Sequence, residues 1–189
     1  AVFWGNQIKA NRTVDDFISF ADIAPTLLEA TRIDVPSEMT GNSFLNILKS
    51  SKSGLIDPEN RSNIVFGRER HTPAQEAPNM NGYPSRAYRD QDYLYIRNYE
   101  PNLWPAGTDN WQESNKSFQW YADCDGGPTK NYMIENKDQD EEHQKAYQLA
   151  FAKRPAEELY DLKSDPGQVN NVATDAQYQE VLEAMRSKM

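Results

Sequence analysis

The sequence predicts an α+β fold in which a small antiparallel β-sheet of about four strands carries a packed C-terminal helix. Residues 86–89 and 93–99 flank the polar turn at residues 90–92, and this arrangement predicts a β-hairpin. Near the end of the chain, apolar residues recur at i, i+3, i+4 and i+7: Tyr178, Val181, Leu182 and Met185. This spacing is typical of an amphipathic helix lying on a sheet.

Composition and charge exclude several classes of protein. The chain has 189 residues and a formal net charge of −9, from 20 Lys+Arg and 29 Asp+Glu. An acidic chain is poorly suited to general binding of a nucleic-acid backbone, so we expect no nucleic-acid partner. The sequence contains no apolar run of the roughly 18 residues that a membrane-spanning helix needs, so we expect no membrane partner either. With one cysteine, the chain can form neither an internal disulfide nor a paired CxxC zinc site.

The first third of the chain predicts two short strands and two helices. The apolar run at residues 1–5, and more weakly residues 14–18, are typical of short strands, the first of them buried. Asp22 is a candidate N-cap for a helix that carries Pro25 in its first turn, where a proline is tolerated. A second short helix is predicted at residues 44–48, before a Lys/Ser/Gly linker.

The remainder predicts the sheet and the segments between its strands. Strands are predicted at residues 63–67 and 158–162 in addition to the hairpin, and a helix at 138–151. A long irregular insertion is expected at about 100–136, and such connections are usually functional or packed as ordered loops. Alternation along the hairpin sets Leu94 and Ile96 on one face, which we expect to pack with the C-terminal helix. Thr174 and Gln177 resemble a capping box for that helix.

One local concentration of positive charge is a candidate binding site for an anion. Arginine forks bind carboxylate, sulfate or phosphate oxygens bidentately, and a neighbouring histidine could donate beside them. The residues predicted to contact such a substrate are Arg68, Glu69, His71 and Arg86. The alternative interpretation is a set of surface ion pairs with the acidic remainder of the chain.

Other candidate residues favour structural interpretations. The carboxylates flanking Cys124 repel the negative charge of a thiolate, which disfavours a nucleophilic cysteine. The acidic residues before His143 resemble a calcium loop only faintly and are better explained as the start of a helix. Four tryptophans and nearby tyrosines leave open a stand-alone carbohydrate-binding module that uses Trp104, Trp111 and Trp120 as stacking platforms.

Three stretches, in order along the chain, resemble the C-terminal part of a sulfatase of the alkaline phosphatase superfamily. Residues 17–43 are similar to the family's S-x-x-D-(I/L)-x-P-T-L-L segment, which is followed by a G-x-S sequence. The hairpin at 86–99 is similar to the sheet segment R-x-x-(R/K)-Y-K-L-I. Residues 158–173 are very similar to E-L-Y-D-L-x-x-D-P-x-E-x-x-N-L-A. Three further features resemble most the heparan N-sulfatase (sulfamidase)-like subgroup: Val65-Phe66-Gly67 before a His-bearing loop, Tyr83-Pro84-x-Arg86, and Arg97-Asn98 at the end of the hairpin.

The resemblance implies a parent enzyme that hydrolyses sulfate esters or sulfamates on a sugar or glycosaminoglycan, outside the cell or in the periplasm. Sulfatases use a formylglycine made within C-x-(P/A)-x-R, together with a calcium ion. Residues 82–86 match that motif in frame except that Gly82 occupies the nucleophile position, and Cys124 lacks the required Pro and Arg. We therefore expect this chain to contain no catalytic or metal-binding residues and, by itself, to be inactive.

The family architecture implies two parts. Residues 1–55 would be the C-terminal remnant of the α/β catalytic domain, and residues 60–189 the small C-terminal subdomain with its irregular insertion. The expected partners are the N-terminal catalytic domain, missing here, and a sulfated carbohydrate. Without that domain, apolar residues of the remnant would bury against another copy or promote aggregation: Val2, Phe3, Ile23 and Leu27. A phosphatase or phosphonate hydrolase of the same superfamily remains an alternative.

Overall fold

A computed structural model describes residues 2–69, 72–79, 81–114 and 119–189. The chain packs as two compact units, residues 1–64 and residues 65–189. In the described part of the chain, no helix is long and apolar enough to cross a membrane.

The first unit is built from short helices. A 3-10 turn at Phe20–Asp22 leads directly into helix α1, Ile23–Ala30, and two shorter helices follow: α2, Leu45–Lys49, and α3, Pro58–Arg61. Ser19 begins the 3-10 turn with a reciprocal capping box, in which the Ser19 hydroxyl accepts from Ala21 N–H and the Asp22 carboxylate accepts from Ser19 N–H. Asp22 therefore caps this turn rather than α1, although the helix begins where the sequence predicts.

A buried ion pair joins the segments of the first unit. The Asp22 carboxylate accepts from Arg61 Nη1 at 2.9 Å and from the backbone N–H of Asn42 at 2.8 Å. Arg61 also donates to the carbonyl oxygens of three residues from two other segments: Phe17, Asn42 and Ser43. Since Asp22 and Arg61 are only 7% and 6% exposed, this network fixes the loop of residues 41–43 against the start of α1.

Gly41 is required by the same close approach. A Cβ atom at this position would lie 2.0 Å from the carbonyl oxygen of Ala21. That contact is with backbone, which cannot rotate away as a side chain can. The glycine of the first sulfatase-like stretch thus has a packing reason.

The two predicted N-terminal strands are not found among the described residues 2–18. Val2 and Trp4 are 95% and 94% exposed, and Phe3 packs its ring edge-on against Phe44 at 5.3 Å. Val14 forms only an isolated bridge with Gly54. The apolar pattern alone misled here because no neighbouring strand is available for residues 2–5 to pair with in this unit.

The second unit contains the predicted four-stranded sheet. Its strands are β1, Ile64–Arg68; β2, Ser85–Arg89; β3, Tyr93–Asn98; and β4, Glu157–Asp161, in the order β1-β2-β3-β4. The pairs β2–β3 and β3–β4 are antiparallel, with Tyr88 opposite Tyr95 and Tyr95 opposite Leu159. The α+β fold class and the hairpin are confirmed.

The C-terminal helix α6, Gln179–Ser187, packs on the sheet through Leu182 and Met185 as its spacing predicts. The sheet residues that it covers are Tyr88, Tyr95 and Leu159. Leu94 and Ile96 point to the other face, where they pack with Ala87, Tyr160 and Leu162. The expectation that Leu94 and Ile96 meet this helix is therefore wrong: both faces of the sheet are apolar, so alternation alone could not assign the helix to one of them.

The insertion between β3 and β4 forms its own small core. Its described residues are irregular as far as Gly127, and helices α4, Pro128–Glu135, and α5, Glu141–Ala150, follow. The core residues are aromatic or aliphatic: Tyr121, Ile134, Tyr147 and Phe151. The hydroxyls of Tyr121 and Tyr147 share a buried 2.6 Å hydrogen bond, and burial is the largest cause of the raised pKa of Tyr121. The insertion is thus an ordered loop.

Candidate functional site

The ends of β1 and β2 bring three of the four predicted substrate-binding residues together. Arg68 is the last residue of β1, Glu69 follows it, and Arg86 lies on the neighbouring strand β2. Gly67 permits this proximity, because a Cβ there would lie 2.6 Å from the Ser85 carbonyl oxygen and 2.7 Å from Arg86 Cδ. The fourth residue, His71, lies outside the described residues.

Arg68 borders a small pocket with a half-exposed side chain. Its Nη2 donates to the carbonyl oxygen of Pro105 at 2.8 Å, and its Nη1 lies 3.4 Å from Asp123 Oδ2. Asp123 Oδ1 accepts from both the backbone N–H and the hydroxyl of Thr72, each at 2.9 Å. The polar side chains lining this pocket are those of Arg68, Thr72, Gln75, Tyr83 and Asp123.

Arg86 is occupied by a closer partner. Its Nη2 forms an ion pair with the Glu69 carboxylate, and its Nη1 donates to the Ser85 carbonyl oxygen at 2.9 Å. The Arg86 and Glu69 side chains are 39% and 64% exposed. Exposed ion pairs of this kind contribute only about 0–1 kcal/mol, so an anionic ligand could displace the carboxylate at little cost.

The cluster is therefore balanced in charge. Arg68 faces Asp123 and Arg86 faces Glu69, so two cations stand beside two carboxylates. The ion pairs of the alternative interpretation are present, yet the 44% exposure of Arg68 leaves its guanidinium open to solvent on one side. The arrangement can bind a polar molecule that offers both an anionic group and hydroxyl groups.

Tyr83 is a buried polar residue at the base of this pocket. The Arg68 guanidinium lies 5.9 Å from its ring centroid, within the range of a cation–π contact. Its buried hydroxyl has no hydrogen-bond partner among the described residues. Burial, followed by the nearby Glu158 carboxylate, raises the pKa of Tyr83 to about 12, so the phenol is neutral at physiological pH.

Sequence reasoning missed the pocket residues that come from the loop after β1 and from the insertion. Thr72, Gln75 and Asp123 lie from 4 to 55 positions beyond Arg68 in the chain. In the sequence, Asp123 was considered only as a neighbour of Cys124. It lies 51 positions from Thr72, so no local sequence pattern predicts that the two are in contact. Only the packing of the insertion brings these side chains together.

The remaining candidates lie outside this pocket. Cys124 is a free, exposed thiol. Asp140 accepts the backbone N–H of His143 and so begins α5, as the helix-start interpretation predicts. Within the described ranges, no three His, Cys, Asp or Glu side chains converge on a point that could hold a metal ion.

Two of the insertion tryptophans pack inward rather than forming a platform. Trp104 meets the Tyr121 ring edge-on at 5.8 Å and is covered by the ammonium of Lys153 at 5.0 Å. Trp120 packs on the same core, whereas Trp111 is 38% exposed. Packing of the loop thus accounts for Trp104 and Trp120.

Comparison with known proteins finds sulfatases. Residues 1–69 match the family model described as N-sulphoglucosamine sulphohydrolase, C-terminal. The chain is 29% identical over 186 residues to an ulvan-active sulfatase of Formosa agariphila. This alignment covers 98% of this chain and 30% of that protein. It is 23% identical over 188 residues to the N-sulphoglucosamine sulphohydrolase of Homo sapiens, covering 98% of this chain and 33% of that protein.

A solved structure shows the same fold. The crystal structure of a phosphonate monoester hydrolase from Agrobacterium radiobacter aligns with a TM-score of 0.50 and 20% identity, over 92% of this chain and 24% of that one. The chain spans about a third or less of the length of the curated relatives it matches. The chain is thus similar to sulfatases over almost its whole length, and to the C-terminal sulphohydrolase family model over residues 1–69.

Proposed function

We propose that this chain is the C-terminal part of an enzyme that hydrolyses sulfate esters or sulfamates on a sugar or glycosaminoglycan. The observation that carries the proposal is the similarity to sulfatases over 98% of the chain. The geometry supports it, because the residues that carry the resemblance, Asp22 and Gly41, form the packing centre of the first unit.

In this proposal the chain supplies scaffold and one wall of the substrate cleft. The formylglycine and calcium of a sulfatase would reside in the parent enzyme's catalytic domain. The described residues offer no carboxylate cluster that fits a calcium ion, so no step of sulfate transfer is assigned to them.

The proposed substrate contacts are Arg68, Glu69, His71 and Arg86. A sulfated sugar combines an anionic group with hydroxyls, which matches a pocket that offers guanidinium N–H donors beside carboxylate and hydroxyl groups. Arg68 would donate to sulfate or carboxylate oxygens. Asp123, held by Thr72, would orient the Arg68 guanidinium or exchange that hydrogen bond for one from a sugar hydroxyl.

The apolar surface of the first unit would contact the catalytic domain of the parent enzyme. Val2, Phe20 and Leu27 are 95%, 92% and 62% exposed, and burying such large apolar side chains against a partner would be favourable. A second copy of the chain is the competing occupant of this surface. By analogy with sulfatases, the parent enzyme would act in the periplasm or outside the cell.

Activity of the full-length gene product tests the proposal. We expect it to release sulfate from a sulfated disaccharide, measured by ion chromatography, with Arg68→Ala raising KM at least tenfold while kcat changes little. Arg89→Ala is the matched control, since Arg89 is an exposed arginine at the end of the same strand as Arg86. Hydrolysis of a phosphonate monoester without sulfate release would instead favour the alternative within the superfamily, and sugar binding by titration without any hydrolysis would favour a binding module.

A further inference from the structure

A hydrogen-bonded chain of three side chains lies on the surface of the insertion, away from the pocket described above. His143, in the first turn of α5, approaches Asp140 Oδ1 with its Nδ1 at 2.7 Å. Its Nε2 lies 3.0 Å from the hydroxyl oxygen of Tyr132, which is on α4. The Tyr132 and His143 rings lie with their centroids 5.6 Å apart.

This geometry fixes the proton positions when His143 is neutral. The carboxylate of Asp140 can only accept, so Nδ1 carries the proton and donates it to Oδ1. Nε2 then has a free lone pair, and it accepts the hydrogen bond of the Tyr132 hydroxyl. The three groups correspond to the orienter, base and nucleophile of a catalytic triad. The carboxylate orients, the imidazole is the base, and a phenol is the nucleophile.

We propose that Tyr132 is a nucleophilic tyrosine that accepts an acyl group from an activated ester, with His143 as its general base. The Tyr132 oxygen attacks the carbonyl carbon of the ester, and the proton of the phenol passes to His143 Nε2. A new bond forms between the Tyr132 oxygen and the carbonyl carbon. The bond between that carbon and the alcohol oxygen of the ester breaks, and the alcohol oxygen leaves with the bonding electrons. The imidazolium then returns its proton to solvent or to the leaving group, and the product is an acyl ester of Tyr132.

The surroundings suit this reaction and limit the esters it accepts. Tyr132 is 54% exposed, whereas the His143 side chain is only 22% exposed, so the nucleophile is accessible and its base is partly shielded. Five carboxylates stand at positions 135–142, and all five residues are exposed. They repel anionic esters, so neutral and cationic esters are the expected donors. This acyl transfer is independent of sulfate release.

Acetylation by p-nitrophenyl acetate tests the proposal in the intact chain. Tyr99 is an internal control, because it is 49% exposed but lies beside the Arg97 guanidinium, 5.4 Å from its ring centroid, and no histidine among the described residues is hydrogen-bonded to it. Peptide mapping by mass spectrometry after short exposure at pH 7.5 should show Tyr132 acetylated at least tenfold faster than Tyr99.

Two variants separate base catalysis from simple accessibility. His143→Gln should reduce acetylation of Tyr132 to the rate of Tyr99, with an unchanged far-UV circular dichroism spectrum. Tyr132→Phe should leave the acetylation of Tyr99 unaltered. Equal rates at the two tyrosines of the unaltered chain would overturn the proposal, as would acetylation of His143 in place of Tyr132. The comparison of the two tyrosines needs no variant, so it decides even if a substitution disturbs the helices.

Discussion

Replacing Arg61 by methionine tests whether the buried ion pair holds the first unit together. Methionine keeps an unbranched side chain of similar length but removes the guanidinium. The change leaves the Asp22 carboxylate buried, and its remaining partners among the described residues are the N–H groups of Asn42 and Ser19. It also removes the donors that satisfy three backbone carbonyl oxygens: those of Phe17, Asn42 and Ser43.

The expected cost follows from the burial and the distance. Two unit charges about 4 Å apart attract by about 4 kcal/mol at an effective dielectric constant of about 20. Removing one partner of a buried ion pair typically costs about 3–5 kcal/mol, because the other charge remains without compensation. Asp22 and Arg61 are both more than nine-tenths buried and 2.9 Å apart, so we expect a loss in this range.

Hydrogen exchange read by mass spectrometry measures this loss within one unit. Peptides covering residues 19–48 should exchange roughly 100- to 5,000-fold faster in Arg61→Met, since about 1.4 kcal/mol corresponds to a factor of ten. Peptides from β2 and β3 in the same sample provide the reference, and Arg89→Met is the matched exposed control. A change below about fivefold in residues 19–48 would refute the structural role that we assign to the ion pair.

Three further predictions concern the stability of the two units. Gly41→Ala should destabilise the first unit by more than about 2 kcal/mol in urea unfolding, because its Cβ would meet the Ala21 carbonyl, whereas Gly126→Ala, with no atom within 4 Å, should be neutral. The pKa of Asp22 is lowered because the hydrogen bonds from Asn42, Ser19 and Arg61 outweigh the opposing effect of burial. The stability that this carboxylate provides is thus present above its unfolded pKa of about 4 and is lost as the pH falls through the lower folded value, so Asp22→Asn should flatten the acid limb of a stability–pH profile. Leu182→Ala should cost the second unit about 2–5 kcal/mol, measured by thermal or urea unfolding, against Glu183→Ala on the exposed side of α6.

Periodicity predicted the elements whose neighbours are close in sequence. The hairpin was evident from alternation around a polar turn, and α6 from the spacing of Leu182 and Met185. Alternation could not tell which face of the sheet α6 covers, because Tyr88 and Tyr95 on one face are as apolar in packing as Leu94 on the other. The two faces differ only in what the rest of the fold places on them.

The sequence stretches that carry the resemblance to sulfatases have structural roles. Asn171, in the last of them, accepts from Leu159 N–H through its side chain at 2.9 Å and so caps the outer edge of β4. Asp165 accepts the backbone N–H groups of Val169 and Asn170, which fixes the turn that follows β4. Such residues preserve a fold, so a resemblance carried by them identifies the family more readily than it identifies a site.

The candidate site was predicted only in its local part. Arg68 and Glu69 are adjacent in the chain, and Arg86 follows on the paired strand, so the strand pattern was sufficient to group them. Asp123 and Thr72 join them through the fold of the insertion, for which the sequence carries no periodic signal. For the ion pairs of Arg68 and Arg86, the sequence predicted only that such arginines could pair with the acidic remainder of the chain; it did not predict the pairing with Asp123 and Glu69.

Sulfate release by the purified 189-residue chain is the most direct test of the central claim, that the groups attacking sulfur lie on other polypeptide. The chain is incubated with a sulfated disaccharide and calcium, and sulfate is measured against a blank without protein. We predict no sulfate above the blank. Repeated turnover by this chain alone would contradict the account, since its own residues would then have to supply both the nucleophile and the means of stabilising the sulfate charge.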